Sequence, residues 1–272
     1  MRNPSIQSAI ILATCSSVLL FSCADTLHPV SYYAYTPFPV NVPLLKKKNE
    51  MQVRAQWFGG LRDDESDKGK VRGGSLQAAY AVTNHIGITG SYSYSNEFED
   101  YNMSSSYPET VSYKKNIAEI GAGYFTPVSK NKRLALEIYA GYGAGKNRLT
   151  NKQHLWGSET SYNGRIQRFY IQPALALHLP RNTSLAWTLR TSFVKFHNAN
   201  TFYPDISLYE IEKSYIAFFE PSFVVRFPVG PFNWVKGNVQ IGGAFKINDK
   251  NIHYRDALGS IGLTFLPQKK KK

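Results

Sequence analysis

Side chains that can carry out chemistry are scattered along this sequence and form no recognised catalytic pattern. The glycine-rich stretch at residues 141–146 lacks the spacing of a phosphate-binding loop, and no helix pattern follows it. The histidines form no close metal-ligand pair, and no nucleophile has a convincing base. The nearest candidates for an acid–base site lie in or beside the connections: Asp63, Asp64, Asp249, His253 and Asp256. His178 lies on an apolar-rich segment and has no convincing serine partner in the sequence. We therefore predict no catalytic residue, no metal and no cofactor.

One cysteine, in contrast, lies in a sequence with clear chemical meaning. Arg2 is the sole charged residue before it. Residues 9–21 are mostly apolar, which is the length of the hydrophobic region of a signal peptide and short for a membrane-spanning helix. This run ends in Leu20-Phe21-Ser22-Cys23, which resembles the lipobox where bacterial lipoprotein precursors are cut and acylated. We predict a signal peptide over residues 1–22 and a covalent diacylglycerol and acyl anchor on Cys23. A plain secretory signal that happens to contain a cysteine is the alternative.

Composition favours an exported, strand-rich chain. Aromatic residues make up 14% of it, including 18 tyrosines, and this bias favours β-strands. The formal net charge is +13, but export argues against nucleic acid as the partner. Lysines are grouped at residues 46–48 and 269–272, where they fit anionic lipid headgroups or cell-wall polymers, or are simply solvated. Loss of residues 1–22 leaves one cysteine, so an internal disulfide is excluded.

The remaining chain divides into two regions with different sequence patterns. Residues 24–50 contain several prolines and no regular period, which predicts a linker. From residue 51 onward, apolar and polar residues alternate in ten segments: 51–59, 74–82, 86–96, 116–126, 134–148, 165–179, 185–196, 214–228, 235–248 and 254–267. Many match the roughly 9–11 residues that a tilted strand needs to cross a bilayer. Short connections alternate with long polar ones at residues 60–73, 97–115, 149–164 and 197–213, as is typical of outer-membrane barrels.

The two faces of these strands differ in charge. In residues 134–148, Leu134, Ile138 and Tyr142 share one face, while Glu137 and the glycines share the other. The polar faces together carry a predicted lumenal charge network: Arg54, Glu119, Glu137, Arg168, Arg190, Glu220, Arg226, Lys236 and Lys246. Unpaired charges in a narrow lumen are costly, so we expect ion pairs and a mostly plugged interior. A soluble β-sandwich lipoprotein is the alternative, because alternation alone does not separate lipid from a protein core.

Two stretches carry a family resemblance: residues 35–45 (YTPFPVNVPLL) and residues 74–85 (GSLQAAYAVTNH). Together with the lipobox, they resemble a group of Bacteroidota outer-membrane β-barrel lipoproteins. That group has no assigned activity, so the resemblance implies a fold and a location and nothing catalytic.

The sequence as a whole predicts an all-β protein with a closed, antiparallel, up-and-down transmembrane barrel of about ten strands over residues 51–267. A signal peptide and a lipidated periplasmic linker (residues 23–50) precede it, and a basic tail (residues 268–272) follows. Both chain ends are expected in the periplasm and the long loops outside the cell. The expected partners are outer-membrane lipids and the barrel-assembly and lipoprotein-export machinery. We expect a structural or surface-interaction role; the alternatives are an outer-membrane enzyme acting on lipid or peptide at the loop rim, and a narrow pore.

Overall fold

The computed structural model describes residues 34–63, 67–101, 109–153, 159–197, 212–248, 253–254 and 257–267. Nearly all of them are strand. In chain order the elements are β1 (Ala34–Tyr35), β2 (Met51–Asp63), β3 (Asp67–Ala81), β4 (Ile86–Tyr101), β5 (Glu109–Pro127), β6 (Leu134–Gln153), β7 (Glu159–His178), β8 (Ser184–His197), β9 (Ile216–Val229), β10 (Phe232–Gly243), β11 (Phe245–Lys246), β12 (His253–Tyr254) and β13 (Ala257–Phe265). In these residues no helix is long and apolar enough to cross a membrane.

Ten of the described strands close into one antiparallel barrel. Each strand from β2 to β9 pairs with the next, and β10 pairs with both β9 and β13. The last strand, β13, then pairs with β2, for example Ile261 opposite Trp57, and this contact closes the ring. The predicted all-β, up-and-down barrel of ten strands is therefore confirmed.

Burial along each strand separates an apolar exterior from a polar interior. In β6 the buried positions include Glu137 and Tyr139, while Ile138 and Ala140 face outward. The same alternation places Arg54, Arg190 and Glu220 inside, so the predicted faces are confirmed in these strands. Outward residues of β6 stay apolar from Leu134 to Ala144. That distance is about 33 Å along a strand, or about 25 Å after a typical tilt, which is the height of a lipid-facing band.

The strands are longer than the sequence predicts at one end of the barrel. β6 and β7 each contain 20 residues and run far into the predicted connection at 149–164. Likewise β4 and β5 use much of residues 97–115. Here the outward positions turn polar, as at Lys114, Lys146 and Arg148, while the inward positions include the buried residues Val111, Tyr113 and Leu149. The apolar outer face that marks a membrane strand is therefore missing, although the hydrogen-bonded ladder continues. We call this the extended end; the opposite end, with the tight turns after Ala81, Pro127, His178 and Val229, is the short-turn end.

Candidate functional site in the barrel lumen

Residues 34–45, which we call the lumenal segment, run through the middle of the barrel. β1 pairs with β12 at the extended end, and Leu45 packs beside Ala81 and Phe125 at the short-turn end. Its side chains are almost completely buried: Tyr35, Thr36, Phe38, Val40, Val42, Leu44 and Leu45. The prediction of a periplasmic linker is wrong for these residues, because they lie inside the barrel and contact its inward-facing side chains along their length.

The barrel wall supplies the hydrogen bonds that the lumenal segment cannot make internally. Proline lacks an N–H group, so Pro37, Pro39 and Pro43 leave this segment with fewer backbone donors than carbonyl acceptors. Gln77 donates to the carbonyl of Pro39 at 2.7 Å, and Gln172 donates to that of Asn41 at 2.9 Å. Further donors to the segment are Arg190 to Phe38, Arg54 and Arg226 to Val42, and Gln52 and Arg226 to Pro43. Inward glutamines and arginines therefore hold the segment along its length.

Apolar contacts fill the space between these hydrogen bonds. Val40, Val42 and Leu44 form a buried cluster with small side chains of the wall, namely Ala135, Ala174, Ala176, Ala186 and Val224. Ten tilted strands about 4.8 Å apart enclose a backbone diameter of about 20 Å, so a central chain lies about 10 Å from the wall, the usual spacing between packed sheets. A cavity beside Phe38 and Gln240 measures only about 10 Å³, which is room for about one water molecule.

Four of the predicted network residues meet around Tyr35. Arg168 Nε donates to Glu119 at 2.8 Å, and Arg190 Nε donates to Glu220 at the same distance. Arg190 also approaches Glu119, with 3.8 Å between Nη1 and Oε2. Arg168 donates to the Tyr35 hydroxyl at 3.0 Å, and that hydroxyl donates to Glu220. Two cations and two anions alternate here, so the buried cluster is neutral and the segment is part of it.

The remaining network residues lie elsewhere. Arg54, Arg226 and Glu137 are buried around residues 42–45, where Glu137 lies against the backbone of Leu44 and Leu45. Lys236 donates to the carbonyl of Asn182 in a short turn, at 3.1 Å. Lys246 lies over the Tyr254 ring at the extended end. The structure therefore divides the predicted network into two clusters and two separate lysines. Cys23 lies outside the described residues.

One buried ion pair, between Lys115 and Glu97, was not predicted from the sequence. Lys115 Nζ lies 2.8 Å from Glu97 Oε2, and the Thr36 hydroxyl donates to the same carboxylate at 2.6 Å. Both charged residues fall in the stretch at 97–115 that was predicted to be a loop. Their alternation with outward Asn96 and Lys114 was the signal that could have placed them on strands.

A serine–histidine contact is present at the short-turn end. Nδ1 of His178 lies 3.0 Å from Ser184 Oγ, and both residues are buried. The charged groups that act on the imidazole are the cations Lys46, Arg226 and Lys236. A nucleophile activated by histidine needs a third group that orients the ring. In the described residues no carboxylate is hydrogen-bonded to this imidazole, and no three His, Cys, Asp or Glu side chains group as metal ligands would.

Comparison with known proteins supports the fold. Among solved structures, the chain is similar to the transport unit of the autotransporter AIDA-I from Escherichia coli, with a TM-score of 0.51 and 9% identity over 85% of this chain and 94% of that one. The chain has the fold of an outer-membrane β-barrel. The translocator domain of the autotransporter NalP from Neisseria meningitidis matches with a TM-score of 0.46 and 11% identity, over 82% of this chain and 90% of that one. The outer membrane protease OmpT from Escherichia coli matches with a TM-score of 0.43 and 10% identity, over 83% and 99%. No family model and no curated protein matches the sequence.

Proposed function

We propose that this protein is an outer-membrane barrel that its own N-terminal segment keeps closed, and that it serves as a structural or surface-interaction protein. The observation that carries this proposal is the lumenal segment, whose side chains are buried along the barrel axis. A conducting pore needs a continuous aqueous path, and the central position that such a path requires is occupied by protein. The apolar exterior and the short turns at one end support insertion with those turns in the periplasm.

Conductance in planar bilayers tests this proposal. The full mature chain is expected to be silent, whereas a variant with residues 34–45 replaced by an equally long Gly/Ser stretch is expected to form steady channels. Heat-modifiable gel migration of both proteins establishes that each barrel is folded. Steady channels from the full chain would overturn the closed-lumen proposal, and so would a folded but silent Gly/Ser variant.

We further propose that the acyl anchor on Cys23 lies on the outer side of the membrane. Cys23 precedes Ala34 by eleven residues, so it lies on the same side of the membrane as Ala34 unless this stretch crosses the membrane a second time. Ala34 is at the extended end, while Phe265 is at the short-turn end. This proposal departs from the prediction that both chain ends are periplasmic, which treated residues 34–45 as part of a periplasmic linker.

Two epitope tags on intact cells test this topology. A tag inserted between Cys23 and Ala34 is expected to bind antibody without permeabilisation, and a tag after the last lysine only after permeabilisation. If both tags need permeabilisation, the outward anchor is wrong, although the closed lumen is unaffected.

The proposal includes no catalytic step. The His178–Ser184 pair is buried and has cations for charged neighbours, which disfavour the imidazolium that a general base must become. Assays of hydrolysis on lipid A and on peptides, with a His178→Gln variant as the matched control, test this part. Turnover that His178→Gln removes would establish an enzyme.

A further inference from the structure

A group of cations faces outward just above the apolar band on β5, β6 and β7. Lys114, Lys146, Arg148 and Arg165 are all exposed and lie on the outer faces of these strands. In the ladder, Lys114 is directly opposite Arg148, and Lys146 is directly opposite Arg165. We call these four residues the basic patch. It begins one outward position beyond Ala144, the last apolar residue of the β6 band.

Two directly opposed pairs of like charge are unfavourable on a β-ladder. No ion pair formed between described residues involves any member of the basic patch. Arg148 Nε is held by Asn163 Oδ1 at 2.7 Å, which fixes the orientation of the guanidinium without neutralising it. The four charges therefore concentrate positive potential at one place, and a bound anion would relieve their mutual repulsion.

Three members of the basic patch, Lys114, Lys146 and Arg148, line a groove in the outer wall. This groove has a volume of about 220 Å³, and the residues that line it include Tyr94, Lys114, Asn116, Lys146, Arg148 and Asn163. Arginine matches two phosphate oxygens at once, lysine adds a point charge, and the amides add donors. The lining is therefore suited to a phosphate group, and the groove has room for more than one small ion.

We propose that the basic patch binds the phosphorylated headgroup of a membrane lipid in the leaflet at the extended end. The position of the patch favours a lipid over a soluble phosphate compound. Below the cations, the outward residues of these strands are Ala118, Ala144 and Gln167, followed by Ile120, Tyr142 and Phe169. Acyl chains can lie along this apolar wall while their phosphate reaches the groove. This inference rests on the proposed membrane insertion, but not on a closed lumen.

Binding to the full chain in neutral detergent tests the proposal. The probes are a diphosphorylated lipid A, its dephosphorylated form and inorganic phosphate, each titrated while the melting of the barrel is followed by heat-modifiable migration. We expect saturable stabilisation by the diphosphorylated lipid alone. Equal stabilisation by the dephosphorylated lipid would overturn the proposal, because the phosphate would then play no part. Equal stabilisation by equimolar inorganic phosphate would also overturn it, and soluble phosphate would then be the ligand class.

Matched variants locate the site. Lys114→Gln with Lys146→Gln removes two charges from the patch, and Lys130→Gln with Lys132→Gln removes two from a turn at the opposite end. The first pair should weaken lipid binding at least about tenfold, because each charge-assisted contact is worth a large fraction of the affinity. It should also melt higher than the native protein without lipid, since repulsion is relieved. Equal lipid affinity for the two double variants would overturn the assignment of the lipid site to the basic patch. Channel activity of the full chain, in contrast, would overturn only the closed lumen.

Discussion

Replacing Phe38 with alanine should release the lumenal segment while leaving the barrel folded. Phe38 is buried and contacts Phe58 edge-on, with 5.8 Å between ring centroids, and the Arg168 guanidinium lies 5.7 Å from its ring. Truncating a buried phenylalanine to alanine costs about 3–5 kcal/mol. Every 1.36 kcal/mol is a factor of ten, so the displaced population of the segment should rise by about a hundredfold to a few thousandfold.

Thiol labelling measures that population directly. Both native cysteines are changed to alanine, and Val42, which is buried on the segment, is changed to cysteine. Labelling of this thiol by a water-soluble maleimide should accelerate by the same factor in Phe38→Ala. The matched control is Trp57→Ala, because Trp57 precedes Phe58 on β2 but points outward with 58% of its surface exposed.

Two results would refute this reasoning. The first is an equal labelling rate in Phe38→Ala and Trp57→Ala. The second is a Phe38→Ala barrel that melts at a much lower temperature while its labelling below the transition stays slow. That second outcome would mean that segment and barrel unfold as one unit, with no independent displacement.

Three further substitutions follow from the same contacts. Gln77→Leu leaves the Pro39 carbonyl without its donor, a loss of about 1–3 kcal/mol. Labelling of the Val42→Cys thiol should therefore accelerate about fivefold to about 150-fold, and an unchanged rate would contradict the role of this hydrogen bond. Glu119→Gln leaves Arg168 and Arg190 to share Glu220 and should destabilise the barrel by about 3–5 kcal/mol, measured as a lower temperature of heat-modifiable migration. The double variant Glu119→Gln with Arg168→Met should recover part of this loss of stability, and no recovery would show that the Arg168–Glu119 pair is not its cause. Gly145→Ala places a methyl group against the Asn116 carbonyl oxygen, whereas a methyl group at Gly90 would have its nearest neighbour 3.8 Å away. The refolding yield should therefore fall for Gly145→Ala and not for Gly90→Ala. Equal yields would contradict the tight approach of β5 and β6 at Gly145.

The barrel wall was predictable from sequence because lipid contact imposes a simple rule. A strand between lipid and a polar lumen must alternate, and residues 134–148 show that alternation without exception at the outward positions up to Ala144. Beyond Ala144 the rule no longer applies. Lys146 and Arg148 face outward, while Asn147 and Leu149 are buried inside. The outward apolar residues that mark a membrane strand are therefore missing from the part of the ladder that continues to Gln153.

The lumenal segment was not predictable by the same rule, although two signals were present. Phe38, Val40, Val42 and Leu44 alternate with Pro39, Asn41 and Pro43, which is a period of two inside a stretch that prolines mark as a linker. Among the described residues, the buried cations of the wall also outnumber its buried carboxylates: Arg54, Lys115, Arg168, Arg190, Arg226 and Lys236 against Glu97, Glu119, Glu137 and Glu220. Inward glutamines and arginines without matching carboxylates imply a set of carbonyl acceptors, and in this protein the segment backbone supplies them.

The path of the segment also imposes an order on assembly. Residues 34–45 precede every wall strand in the chain, and the ring is closed by β13, the last strand, against β2. The segment must therefore lie on the concave side of an open sheet before β13 docks, or be threaded through a finished ring. If Cys23 carries acyl chains as proposed, threading from that end is prevented by their bulk. The first residues of the fold are then locked in place by the last, and a chain truncated before Ala257 loses the closure that retains its own interior.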